Sequence, residues 1–214
     1  MDPRRPTQLD DESRERIRSL LDAMSLEEKI GQMMQLDGRK DAHGMLQRYQ
    51  PGSFLHMLDD EAAAVQEIAC STGHRIPLLF GIDAIHGHSF YPGASIFPTQ
   101  LGLSCSWNPG LVRDIGAATA HEMSFTGVHW TFSPVLCITR DLRWGRVGET
   151  WGEDPYIIEK MSVALIDGLQ RSGDIDRADS VVACAKHFAG YSETLGGHDS
   201  SEAEVSWRKL RAFF

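Results

Sequence analysis

The chain has 214 residues, of which 42% are hydrophobic and 24% are charged, and its formal net charge is −9 at pH 7. This length and composition suit one domain with a sizeable core, or an incomplete piece of a larger domain. The acidic balance and the scattered basic residues exclude the clustered Lys/Arg surface that is typical of nucleic-acid-binding proteins.

Cysteine and histidine spacing gives no sign of a metal site or a disulfide framework. The four cysteines are widely spaced, without a C-x-x-C pair, and His121-Glu122 lacks the second histidine of an H-E-x-x-H motif. We therefore expect reduced cysteines, no metal and no cofactor. The start of the chain has no apolar signal region and no run is long enough to span a membrane, so we expect a cytoplasmic protein that does not enter the membrane. A periplasmic or secreted location would follow if the natural N-terminus differs.

Two helices are the first predicted elements. Apolar residues recur at helical spacing over 11–34, and Ser25 followed by Glu28 is a capping-box pattern. One helix should therefore end near Met24 and a second should begin at Ser25. We divide the chain into a polar N-terminal segment with its first helix, 1–24, and a main domain, 25–214.

Strands and helices alternate along the rest of the chain. Strands are predicted over 52–57, 77–83, 128–135 and 180–188, and helices over 62–72, 111–125 and 155–171. Asn108-Pro109 should begin the second of these helices, and Ser206 should cap a last one that runs to Phe214. This alternation predicts an α/β fold around a parallel sheet, either a small open sheet or a barrel that stops early.

Polar side chains follow three of the predicted strands. Asp83 ends the strand at 77–83, the arginine-rich loop 140–149 follows the strand at 128–135, and Lys186-His187 end the strand at 180–188. The carboxyl ends of parallel strands meet at one edge, where binding sites form. Burying so many charges at one end of a core is unfavourable unless they serve a shared site.

Each of these residues also has a purely structural interpretation. Asp83 could cap the next helix, Arg143 and Arg146 could form ion pairs with acids of their own loop, and His187 could be a hydrogen-bonded core histidine. Taken together, the residues favour recognition of a neutral polyol. A carboxylate accepts hydrogen bonds from hydroxyls, whereas Lys, Arg and His donate to them.

Several long motifs resemble those of glycoside hydrolase family 3. They occur in the family's order from about residue 26 to the last residue: SLEEKIGQM (25–33), GIDAIHG (81–87), FPTQLGLSCSWNP (97–109), GVHWTFSPVL (127–136), RDLRWGRVGETWGEDP (140–155), ACAKHFAGY (183–191) and VSWRKLR (205–211). GIDAIHG favours the β-glucosidase branch.

The resemblance implies a TIM-type (β/α)8 barrel, incomplete, with about five to six βα units. The residues that match the family's sugar-binding set are Asp83, Arg146, Lys186 and His187. Those expected to hold the arginine loop around them are Arg143, Glu149 and Asp154. The implied ligand is a small-molecule or oligosaccharide β-glucoside.

The resemblance also implies a retaining mechanism with two carboxyl groups about 5–5.5 Å apart. In the family the nucleophile is an Asp within Ser-Asp-Trp or Ser-Asp-Tyr, and the chain contains neither string. The usual acid/base Glu comes from a downstream α/β domain. We therefore expect no catalytic carboxylate among these residues, and weak or no hydrolysis by this chain alone.

Two alternatives remain. A β-N-acetylglucosaminidase of the same family would use a His–Asp pair as acid/base, here His198 and Asp199. A non-catalytic carbohydrate-binding protein would keep the sugar pocket without the chemistry. The chain also departs from common family residues, with Cys137 in place of Asp, Leu142 in place of Pro, and His198 in place of Arg.

Overall fold

The computed structural model describes residues 9–214 and divides the chain into two compact units, Met1–Gly81 and Ile82–Phe214. Residues 1–8, the start of the predicted segment 1–24, lie outside the described residues. The division predicted at residue 24 stays a prediction.

The described residues of the first unit, 9–81, form two successive helices followed by three parallel strands that alternate with two more helices. Its elements are α1 (Asp11–Ala23), α2 (Leu26–Gln32), β1 (Gln35–Asp37), α3 (Ala42–Tyr49), β2 (Ser53–Leu55), α4 (Asp59–Ser71) and β3 (Leu79–Ile82), whose last residue opens the second unit. β2 pairs with both β1 and β3. The core includes Phe54, Val65 and Phe80, all almost fully buried.

The second unit continues with α5 (Gln100–Ser104), α6 (Pro109–Ser124), β4 (Trp130–Thr131), α7 (Pro155–Leu169), β5 (Val182–Ala183) and α8 (Trp207–Phe213). Short 3-10 turns lie at Val147–Glu149, Arg171–Gly173 and Leu195–Gly197. β4 and β5 are parallel, and the N–H of Phe132 donates to the carbonyl of Ile82, which brings the chain after β4 beside the end of β3.

Helices α6 and α7 pack closely through glycine. A Cβ added at Gly168 would clash with the carbonyl oxygen of Arg113, and one at Gly116 would lie 2.7 Å from that of Leu165. Any larger residue at either position would therefore force the two helices apart. This contact supports one face of the unit, and β4 and β5 lead into the loops that carry the polar residues.

The structure confirms an α/β fold in which parallel strands follow one another in chain order and alternate with helices, as in a TIM-type barrel. The Ser25–Glu28 capping box is present in both directions. Asn108 caps α6 and Ser206 caps α8, as predicted. None of the described helices is long and apolar enough to cross a membrane.

Sequence patterns missed three elements and overestimated others. β1, α3 and α5 were not predicted, because each is short and all three contain or adjoin a glycine that weakens the local signal. The run 180–188 was predicted as one strand, but β5 covers only Val182–Ala183. Apolar runs mark where a chain is buried, whereas a strand also requires a partner at ladder distance.

Candidate functional site

An ion pair joins two residues of the second unit, each of which lies just after a strand. Asp83 directly follows β3, Lys186 lies three residues beyond β5, and Nζ of Lys186 is 2.6 Å from Oδ1 of Asp83. The side chains of Lys186 and Asp83 are 13% and 33% exposed, respectively. The N–H of Lys186 donates to the carbonyl of Pro134, so the chain after β4 holds the backbone of the lysine in place.

Arg146 is the half-buried arginine of the loop after β4. Its Nε and Nη2 each lie 2.8 Å from a carboxylate oxygen of Glu149, an arrangement that is bidentate. Its Nη1 lies 3.4 Å from the hydroxyl of Tyr191, and its guanidinium carbon lies 5.6 Å from the centre of that ring. The Glu149 carboxylate is the main reason that the pKa of Arg146 is raised.

His187 is held on one edge and on one face. Its Nδ1 lies 3.4 Å from Sγ of Cys137, and its ring lies 4.4 Å from that of Tyr191. Burial, with the charges of Arg146 and Lys186, lowers the pKa of His187, whereas burial raises the pKa of the Cys137 thiol. Both groups are therefore neutral near pH 7. The peptide bond between Lys186 and His187 is cis.

Asp199 ties the loop after β5 to the arginine loop. Its Oδ1 accepts hydrogen bonds from Nε1 of Trp144 and from the hydroxyl of Tyr191, each at 2.8 Å. These two bonds lower the pKa of Asp199. Tyr191 thus contacts Arg146, His187 and Asp199 at once.

The other predicted residues lie apart from these contacts. Arg143 pairs with Asp141 at 2.6 Å and is 72% exposed, so it forms the local ion pair that the sequence left open. Asp154 accepts from the N–H of Tyr156 and caps α7. His198 is exposed. The roles assigned to these residues from the sequence stay predictions.

Sequence reasoning did not predict the contacts that three further residues make at this site. Tyr191 lies within the quoted motif ACAKHFAGY, and its place at the end of that motif was an available signal. Trp144 was visible in the RWGR segment. Cys137 was noted only as a departure from a family pattern, and nothing local connects it with His187, which is 50 residues away.

Asp83, Arg146, Lys186 and His187 form a set that we call the strand-end cluster. It presents one carboxylate acceptor, an ammonium, a guanidinium and a neutral imidazole. This set can bind a polyhydroxylated molecule, because hydroxyl groups both donate and accept hydrogen bonds. Within residues 9–214, no three His, Cys, Asp or Glu side chains are grouped so that they could hold a metal ion.

Residues 25–214 match the family described as Glycosyl hydrolase family 3 N terminal domain. Curated relatives include a periplasmic beta-glucosidase of Salmonella typhimurium, 31% identical over 91% of this chain and 26% of that protein. A beta-xylosidase of Formosa agariphila is 30% identical over 96% of this chain and 25% of that protein. The chain therefore spans about a quarter of the length of these relatives.

This chain is also similar to solved structures of a β-glucosidase and a beta-glucanase. A β-glucosidase involved in saponin metabolism from intestinal bacteria has a TM-score of 0.81 and 50% identity, over 92% of this chain and 26% of that one. The exo-1,3/1,4-beta-glucanase of a Pseudoalteromonas species has a TM-score of 0.85 and 32% identity, over 96% of this chain and 28% of that one.

Proposed function

Because the chain belongs to glycoside hydrolase family 3, we propose that its strand-end cluster binds the terminal glucose of a β-glucoside and that the whole protein is a β-glucosidase. The observation that carries this proposal is the 2.6 Å contact between Asp83 and Lys186. It brings together residues 103 positions apart at the rim where parallel α/β folds place their sites.

The chemistry of the cluster suits the ring hydroxyls of a sugar. The Asp83 carboxylate can accept from two neighbouring hydroxyls, while Lys186, Arg146 and His187 can donate to others. The ion pairs hold Asp83 and Arg146 in place before the sugar arrives, which reduces the ordering that binding requires.

Names of related proteins support glucose as the sugar. The β-glucosidase of Listeria innocua is 33% identical over 95% of this chain and 29% of that one, and the two structures compare with a TM-score of 0.83. That structure was solved with isofagomine. The same protein was also solved with glucose and with gluconolactone. Because beta-xylosidases are also among the relatives, the choice of glucose over xylose belongs to the proposal.

Bond cleavage would follow the retaining route, with a carboxylate nucleophile and a second carboxyl group as acid/base. Among residues 9–214 the cluster assigns neither role. We propose that an Asp and a Glu outside this segment perform these steps, the Glu on a downstream α/β domain. The segment described here then supplies glucose recognition.

Calorimetry with the 214-residue chain tests recognition. Glucose and isofagomine should bind, and Asp83→Asn and Lys186→Met should each weaken binding by about 10- to 100-fold because a charged hydrogen bond is lost. Matched controls are Asp114→Asn and Lys160→Met, exposed partners of local ion pairs in the same unit. Equal affinities in all variants would contradict the proposal.

Turnover tests the reaction and separates the branches of the family. The product of the complete gene should hydrolyse a nitrophenyl β-glucoside faster than the xyloside or the N-acetyl-β-glucosaminide, whereas the 214-residue chain should show little activity. Faster turnover of the N-acetyl-β-glucosaminide would favour His198 and Asp199 as acid/base. The contacts of Asp199 with Trp144 and Tyr191 do not support that role, because both hydrogen bonds already occupy Oδ1 of its carboxylate.

A further inference from the structure

The contact between Cys137 and His187 lies beside the proposed glucose site and has no part in the chemistry described so far. Cys137 is 4% exposed, and its Sγ lies 3.4 Å from Nδ1 of His187. At this separation a sulfur–nitrogen hydrogen bond forms, with either the thiol or the imidazole as donor. If the thiol donates to Nδ1, Nε2 carries the ring proton and can donate to a ligand. If Nδ1 donates to the sulfur, Nε2 of the neutral ring can only accept.

We propose that Cys137 is a positioning residue: its thiol donates to Nδ1 of His187 and holds the imidazole as the tautomer that carries its proton on Nε2. The inference rests on the proposed function, because the ligand that Nε2 would meet is a sugar hydroxyl.

Counting donors and acceptors favours this direction. The buried thiol keeps its proton and is a weak donor, and an unprotonated imidazole nitrogen is a good acceptor for it. If Nδ1 carried the proton instead, it would face sulfur, which is a weak acceptor, and Nε2 would lose its donor. With the thiol as donor, one bond satisfies Cys137 and leaves the Nε2 proton of His187 for the ligand.

The charges around the ring keep it neutral, as this tautomer requires. Burial is the largest influence on the pKa of His187 and lowers it, Arg146 and Lys186 lower it further, and Glu149 and Asp199 oppose them. A protonated ring would carry a hydrogen on both nitrogens, and Nδ1 could no longer accept from Cys137. The thiol and the two cations therefore act in the same direction.

The consequence is a defined pattern of hydrogen bonds. His187 joins Lys186 and Arg146 as a donor, and Asp83 is the one acceptor among these four side chains. An aspartate at position 137 would instead favour the imidazolium, because an opposite charge stabilises the charged form. The uncharged thiol adds no negative charge that would favour the imidazolium.

Long-range ¹H–¹⁵N correlation spectra of the histidine-labelled 214-residue chain test the inference without a ligand. The His187 resonance, assigned by its loss in His187→Asn, should show an unprotonated Nδ1 and a protonated Nε2. Cys137→Ala should mix the two tautomers and weaken glucose binding by about three- to tenfold. Cys137→Ser keeps a donor and should restore the wild-type tautomer and affinity.

Cys137→Asp should raise the pKa of His187, because the added carboxylate stabilises the imidazolium, so that the charge of the ring and the glucose affinity change together as the pH is varied. Cys105→Ala, at an exposed cysteine of the same unit, is the control and should change none of these signals. A proton on Nδ1 of the wild-type ring, or an unchanged tautomer in Cys137→Ala, would overturn the inference and leave the proposed function intact. The expected tautomer in a chain that binds no glucose would support the contact and count against the proposed function.

Discussion

Two acidic residues at strand ends, one in each unit, show how differently the same side chain can be used. Asp37 ends β1 and pairs with Arg39, two positions later, at 2.5 Å, where the two side chains are 37% and 60% exposed. Asp83 follows β3 and pairs with Lys186, 103 positions later, where the lysine is only 13% exposed. Arg39 strongly lowers the pKa of Asp37, yet both groups face water.

The difference lies in what each pair requires of the fold. A pair two residues apart can form wherever its turn forms, and exposed ion pairs contribute little because water already solvates both charges. The Asp83–Lys186 pair forms only when the chain after β3 and the chain after β5 are in place. Loss of one partner leaves a half-buried charge poorly compensated. The Asp83–Lys186 pair of the proposed glucose site therefore depends on the tertiary fold, whereas the Asp37–Arg39 pair does not.

Asp83→Ala tests the comparison with the largest expected effect. It should lower the free energy of unfolding by about 2 kcal/mol, because the Lys186 ammonium loses its carboxylate in a poorly solvated place. Asp37→Ala is the matched control and should cause no measurable change. Urea denaturation followed by circular dichroism measures both, and equal losses would show that the two pairs do not differ.

Arg146→Lys tests the same idea within one loop. Lysine cannot form the two parallel bonds to Glu149, so the free energy of unfolding should fall by about 1 kcal/mol. Arg143→Lys breaks a similar bidentate pair with Asp141, but that arginine is 72% exposed, and stability should not change. A larger loss in Arg143→Lys would mean that exposure does not decide the contribution of these pairs.

Tyr191→Phe should have a smaller effect, a loss of about 0.5–1 kcal/mol, because the hydroxyl's bond to Asp199 and its long contact with Arg146 are removed while the ring stays against His187. Thermal unfolding measures the change. Tyr49→Phe, at a tyrosine of the first unit that is 40% exposed, is the control and should unfold at the wild-type temperature.

The smallest effect concerns the pH dependence of the exposed Asp141. Arg143 lowers the pKa of Asp141 to about 2, so the carboxylate's contribution is present above its ordinary pKa and is lost as the pH falls through about 2. Carboxyl ¹³C titration should show this midpoint. In Arg143→Gln the midpoint should return towards about 4, and an unchanged midpoint would assign the shift to another group.

Local patterns predicted those parts of the fold that depend on neighbouring residues. The capping box of Ser25 and Glu28 and the Asn108-Pro109 start of α6 were correct because a helix end satisfies its N–H groups within one turn. The lengths of β4 and β5 were overestimated, since ladder pairing depends on a strand elsewhere in the chain. The short α3 was missed because Gly44 weakens its helical signal.

For the site, the sequence by itself determined which polar residues follow the strands and which family the motifs resemble. Only the tertiary structure decided that Asp83 meets Lys186, that Tyr191 joins Arg146 to His187, and that Cys137 faces the imidazole. These partners are separated by 45 to 103 positions in the sequence, except for His187 and Tyr191, which are close in the chain. Contacts at such separations leave no periodic signal in the sequence, because they arise when the strands align.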